Sequence, residues 1–156
     1  MTYTIVSTGY EKEFALKNEF EEPCAAIKQK LRDIIWEAFT GGVDSFYVNC
    51  EYGIPLWAAE IVCALKKYNN IYLHIIVPYE EQCKDWSENL RDRYYTVHQK
   101  ADSVEFVDPQ YYDDSYEIAD EIMADNSDMI CIFGKNYTEA YISGYVSKEK
   151  IKSFYI

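Results

Sequence analysis

Three stretches of the chain set a glycine among side chains that give or accept hydrogen bonds: Thr8-Gly9-Tyr10, Asn49-Cys50-Glu51-Tyr52-Gly53-Ile54-Pro55 and Gly134-Lys135-Asn136-Tyr137-Thr138. Glycine lets the backbone come close to a bound group, and the amides that open a following helix attract an anion. The middle stretch is the most informative, because Gly53 precedes an apolar run in which Pro55 suits a first helical turn. That pattern fits a phosphate cradle. It fits equally a turn whose helix start is simply solvated, since one glycine is much weaker than a full Gly-x-Gly-x-x-Gly fingerprint. Lys135 would add a cation, although a lone lysine after a strand is more often an exposed loop charge. Thr8, Asn49 and Thr138 would add hydrogen-bonding groups. Tyr10 and Tyr52 offer rings to stack on a base, a weak signal among 16 tyrosines.

Other chemistries fare less well. Cys50 invites a nucleophile, but thiol catalysis needs an adjacent base and oxyanion donors, and no histidine lies near it in sequence. His74 falls inside an apolar run and reads as a hydrogen-bonded core or face residue. Glu60 either faces back toward the pocket or pairs on the surface with Lys66 or Lys67, and no acid-base partner is designated for it. No catalytic residue is assigned. Cys24, Cys50, Cys63, Cys83 and Cys131 are scattered singly, and only His74 and His98 accompany them, so no metal site is expected. That cysteine usage points to a reducing, cytoplasmic setting. The formal net charge of −12 repels a phosphate backbone, so no nucleic-acid polymer is expected as partner, while a local basic pocket still accepts a small anion. No apolar run approaches the roughly 20 residues of a membrane helix, and Met1 to Tyr10 lacks the pattern of a signal peptide.

The elements that must carry the three stretches follow from periodicity. Tyr3 to Ser7 is a strand-like run stopped by Gly9. After Pro23, the spacing of Ile27, Leu31, Ile34, Ile35 and Ala38 predicts an amphipathic helix closed by Gly41-Gly42. Ser45 to Cys50 reads as a second strand, Pro55 to Tyr68 as a second helix, and Ile71 to Val77 as a third strand. Trp86, Leu90, Tyr94 and Val97 recur at helical spacing ahead of a fourth strand, Ser103 to Val107. Asp114 with Glu117 has a capping-box pattern before Ile118, Ile122 and Met123, leading into a fifth strand, Met129 to Phe133. Asn136 with Glu139 repeats the pattern before a helix around Ala140 to Val146, and Ser153 to Ile156 is a last strand. Such alternation implies right-handed βαβ crossovers in one domain, residues 1–156: an α/β three-layer sandwich with a mostly parallel sheet of about six strands. Each glycine stretch then falls just beyond a strand's carboxyl end.

The series Ser7-Thr8-Gly9-Tyr10, Gly53-Ile54-Pro55-Leu56-Trp57-Ala58-Ala59-Glu60, Val77-Pro78-Tyr79 with Gln82, Trp86 and Tyr94, and Met123-Ala124-Asp125-Asn126-Ser127-Asp128 resembles the YpsA-like family of uncharacterised proteins over nearly the whole chain. The resemblance implies a Rossmann-like domain of the SLOG superfamily, distantly related to the DNA-processing protein DprA and the lysine-decarboxylase-like LOG phosphoribohydrolases. The chain departs from the family at its glycine stretches. Asn49-Cys50 stands for a Ser-Gly pair, Pro55 for an acidic residue, and Asn136-Tyr137-Thr138 for Gly-Gly-Thr. Asp120-Glu121 lies near the place of an Arg-Asn pair.

Together these readings imply a non-catalytic protein that binds or senses a nucleotide or nucleotide-derived phosphorylated ligand. Its candidate contacts are Thr8, Gly9, Tyr10, Asn49, Cys50, Gly53, Lys135 and Thr138, and the sequence does not name the nucleotide. A LOG-like nucleotide N-glycosidase is the enzymatic alternative, and the chain lacks the Pro-Gly-Gly-x-Gly-Thr-x-x-Glu motif of those relatives. A domain that has exchanged its pocket for a protein interface is the third reading, supported by the richness in Tyr and Trp. A homo-oligomer is compatible with all three.

Overall fold

The computed structural model describes residues 1–8, 18–134, 142 and 144–154. Six strands follow one another as β1 (Thr2–Thr8), β2 (Ser45–Val48), β3 (Tyr72–Tyr79), β4 (Ser103–Asp108), β5 (Met129–Gly134) and β6 (Ile151–Phe154). Helices α1 (Cys24–Thr40), α2 (Ile54–Leu65), α3 (Glu88–Lys100) and α4 (Ser115–Asp125) lie between the first five. The sheet order is β4-β3-β2-β1-β5-β6, and every pair is parallel. The α/β Rossmann-like arrangement expected from the sequence is therefore present, with a sheet parallel throughout.

From β1 to β4 the chain steps always in the same direction. Right-handed crossovers with a constant step leave α1, α2 and α3 on one face of the sheet. Beyond β4 the chain returns to the far side of β1, and α4 covers the opposite face. Strand alternation supplies apolar side chains to both. Ile5, Leu73, Ile75, Val77 and Phe133 pack with Leu31, Ile35, Leu56, Val62 and Val97. Val6, Ile76, Ile130 and Ile132 pack with Ala119, Met123 and Ala124 of α4 and with Ile142.

Element ends shift for local reasons. β2 stops at Val48, so Asn49 and Cys50 lie beyond it. α2 ends at Leu65, short of the expected Tyr68. Ser87 caps α3, its hydroxyl accepting the Leu90 N–H at 3.3 Å, which leaves Trp86 just outside the helix. β3 continues through Pro78 because β2 has already ended and β4 pairs with Val77 and Tyr79 on either side, so the missing N–H is not needed. The capping box expected at Asp114 does not form. Instead the Ser115 hydroxyl accepts the Tyr112 N–H and donates to Asp108, both at 2.9 Å, tying the turn to the end of β4. β6 begins at Ile151 rather than Ser153. The cap pattern of Asn136 and Glu139 lies outside the described residues. Among the described residues no helix is long and apolar enough to cross a membrane, and no three His, Cys, Asp or Glu side chains are grouped to hold a metal ion.

Candidate functional site

The order reverses at β1, whose neighbours are β2 on one side and β5 on the other. In open parallel sheets ligands settle outside the carboxyl ends of strands at such a switch point. Thr8 ends β1 opposite Gly134, which ends β5. The turn after β2, carrying Asn49, Cys50 and Gly53, opens on the same edge. Four of the sequence candidates, Thr8, Asn49, Cys50 and Gly53, are thus brought to one rim by their backbones. Gly9, Tyr10, Lys135 and Thr138 lie outside the described residues.

Two residues of the β2–α2 turn have positive φ: Cys50 at 59° and Gly53 at 102°, with ψ −135° at Gly53. The turn satisfies many of its own groups. The Asn49 side-chain oxygen accepts the Glu51 N–H at 3.0 Å, and the Glu51 carboxylate accepts the Tyr52 N–H at 3.0 Å. The Glu51 carbonyl accepts the Leu56 N–H at 3.1 Å. Pro55 has no N–H to offer, so the amides of Gly53 and Ile54 open the helix. A carboxylate therefore stands at the turn where an anion was expected.

Behind the turn is a buried polar relay. The Gln82 amide nitrogen donates to the Asn49 carbonyl at 3.1 Å, and the Gln82 oxygen accepts the Tyr94 hydroxyl at 3.1 Å. Burial pushes the Tyr94 phenol far above its usual range and keeps it a donor. The Tyr116 hydroxyl donates to Glu51, and Gln82 approaches the same carboxylate oxygen at 3.5 Å. Trp86 packs edge-on against Tyr94, with 5.4 Å between centroids. Gln82, Trp86 and Tyr94, conspicuous in sequence as one spaced series, thus hold the β2–α2 turn from behind.

A second cluster joins the segment before α1 to the outer helices. Both oxygens of buried Glu19 accept from Arg93, at 2.8 and 3.0 Å, while Lys28 donates to one at 2.7 Å and the Tyr52 hydroxyl to the other at 3.1 Å. Arg93 Nε also donates to Glu60 at 2.9 Å. Burial alone would raise the Glu19 carboxyl, but the hydrogen bonds and charges of Arg93 and Lys28 outweigh it and hold it at about 2. Burial and the neighbouring Glu19 push the Tyr52 phenol up to about 12. Glu19 thus contributes stability that is fully present above its ordinary pKa of 4.5 and lost as the pH falls toward 2. A shift of that size corresponds to about 3 kcal/mol. Urea unfolding at stepped pH is expected to show the stability gap between wild type and Glu19→Gln shrinking by about that amount across this window; parallel curves would disprove the assignment.

Other sequence candidates sit elsewhere. Cys50 is buried, and burial, with Cys63, Glu60 and Glu51 nearby, pushes its thiol well above the usual range. His74 hydrogen-bonds Ser103 at 2.7 Å and stacks on Tyr47. Glu60 pairs with Arg93 rather than with Lys66 or Lys67, and Lys66 pairs with Asp102. A cavity of 480 Å³ between α1 and α2 is lined by Trp36, Trp57, Ile61 and Leu65, on the helical flank rather than the sheet edge. Sequence reasoning missed Glu19, Lys28 and Arg93. Glu19 and Arg93 are 74 residues apart, and no local pattern joins them.

A family model described as the YspA SLOG family matches residues 5–154. UPF0398 proteins of Staphylococcus aureus strains JH9, JH1 and COL are each 27% identical over 146 residues, covering 90% of this chain and 77% of the relative. The family match spans β1 to β6 and every described element of the sheet edge. Because this match covers nearly the whole chain, the chain belongs to the YpsA family of SLOG proteins.

Proposed function

We propose that this protein binds and senses a nucleotide, or a phosphorylated compound derived from one, at the carboxyl edge of its sheet without transforming it. The observation that carries the reading is the reversal of strand order at β1, where Thr8 and Gly134 end neighbouring strands beside the glycine turn after β2; open parallel sheets take their ligands at such a point. Membership of a family with a nucleotide-related fold supports the ligand class. Thr8, Gly9, Tyr10, Asn49, Cys50, Gly53, Lys135 and Thr138 are the proposed contacts. With 27 acidic against 15 basic side chains, the partner is a small molecule rather than a nucleic-acid polymer.

The sequence after β5 supports binding without turnover. Gly134-Lys135-Asn136-Tyr137-Thr138-Glu139 lacks the paired glycines and spaced glutamate that a nucleotide-cleaving relative uses. One incubation tests both halves of the proposal. With nucleoside monophosphates, native mass spectrometry is expected to show an intact nucleotide bound, and chromatography no free base above a heat-killed control. Time-dependent base release abolished by Glu60→Gln or Glu139→Gln would establish an enzyme instead, and no bound nucleotide would remove the ligand class.

A further inference from the structure

α1 and α2 pack beside each other over one face of the sheet, and the groove between them holds the cavity of 480 Å³. Its walls are apolar: Trp36 is 47% exposed, Ile61 and Leu65 are half-buried, and Ala64 is exposed. Trp36 leans on Phe39, with 5.7 Å between centroids. Lys28 carries the patch beyond the groove, its ammonium 4.5 Å from the centre of the Phe20 ring and 4.9 Å from that of Trp57. Phe20 is 77% exposed. Two aromatic rings open to water beside an apolar groove mark a contact surface rather than an ordinary solvated helix face.

The charges on the rim select the partner. They are two bases, Lys28 and Arg32, and two acids, Asp33 and Glu60. Lys28 is held by Glu19, and Glu60 by Arg93. Arg32 and Asp33 are exposed, and among the described residues neither meets an opposite charge. Arg32 approaches the Gln29 side-chain oxygen at 3.4 Å, and Asp33 accepts the Gln29 amide at 3.0 Å. A cation and an anion placed side by side on α1 complement themselves across a two-fold axis, where Arg32 of each copy meets Asp33 of the other. We propose that this face joins two copies of the chain, the Trp36 ring of each entering the α1–α2 groove of the other and two Arg32–Asp33 pairs closing the rim. At a net charge of −12 two copies repel over most of their surface, and a rim of balanced charge is where that repulsion is least. A strongly acidic or strongly basic partner gains nothing there. The contact lies on the helical flank and does not depend on the nucleotide reading.

Analytical ultracentrifugation of the full chain over a micromolar concentration series tests this. Wild type is expected to pass from monomer to dimer within the series and to go no further, because an isologous contact closes on itself. Arg32→Asp and Asp33→Arg each set like charges opposite one another twice, and each is expected to weaken the dimer by about tenfold or more. Mixed in equal amounts, the two variants are expected to regain it: the new acid of one faces the new base of the other, and the second pair keeps its native charges. Trp36→Ala is expected to weaken the dimer by about thirtyfold or more. All three side chains are exposed, so thermal unfolding of the variants is expected to match wild type. If Trp36→Ala does not fold, the mixed pair still decides. A wild type that stays monomeric throughout overturns the inference and leaves the groove to a different partner. A dimer indifferent to the three substitutions, or a mixture no more dimeric than its components, overturns it as well and puts the interface elsewhere.

Discussion

Arg93→Ala is expected to destabilise the protein by about 3–5 kcal/mol, the range for removing one member of a buried ion pair. The cost comes less from the lost attraction than from what remains. Glu19 is 7% exposed and takes two of its four described hydrogen bonds from Arg93. Without the guanidinium, Lys28 and the Tyr52 hydroxyl must hold the carboxylate alone. Glu60, which shares Arg93, loses its described partner as well. Arg93→Lys is expected to recover only part of the loss, since an ammonium cannot reproduce the two-pronged contact with Glu19 while also reaching Glu60. Adding Glu19→Gln to Arg93→Ala is expected to restore stability in part, because it removes the stranded charge. Urea unfolding of the four chains checks the series. A loss below about 1 kcal/mol in Arg93→Ala would class the cluster with ordinary surface pairs.

Gly53→Asp is expected to cost about 4 kcal/mol or more, from backbone strain together with a buried charge. At φ 102° and ψ −135° the backbone lies in a region that only glycine occupies comfortably, and Gly53 is buried at the start of α2. The carboxylate of Glu51 already stands two residues away and would repel a second one. At these dihedral angles Gly53→Asp acts on the fold before it acts on any ligand. Gly53→Ala separates the two contributions, with about 1–3 kcal/mol expected from strain alone. Thermal and urea unfolding of both variants checks this, and wild-type stability in Gly53→Ala would show that the turn relaxes readily to another conformation.

The layers of the fold were legible because they depend on local repetition. The spacing of Ile27, Leu31 and Ile35 marks a helix wherever it packs, and the alternation of Ile5 and Val6, or of Ile75 and Ile76, supplies the two faces of a covered sheet. Strand order was not legible, since nothing local to β5 states that it lies beside β1. The turn after β2 was recognisable as a turn, but its chemistry was not. That Glu51 would be oriented by Tyr116, or Asn49 by Gln82, depends on contacts across 65 and 33 residues. The departure at Cys50 gains a physical meaning in the structure: φ is 59° there, a conformation that favours the glycine of the family's Ser-Gly pair. Ion pairs such as Glu19 with Arg93 are the least legible of all, because any of the 27 acids and 15 bases could have met.

The most direct test of the account is amide chemical-shift mapping of the isotope-labelled protein titrated with four ribonucleoside monophosphates, AMP, GMP, CMP and UMP. Shifts are expected to concentrate at Thr8, at residues 49–53, at Tyr79 and at Gly134, all at the carboxyl ends of β1, β2, β3 and β5. The amino ends of those strands, at Thr2, Ser45, Tyr72 and Met129, are expected to stay still. Shifts confined to the amino edge or to the groove between α1 and α2, or no shifts with any of the four, would contradict a nucleotide site at the carboxyl edge of the sheet.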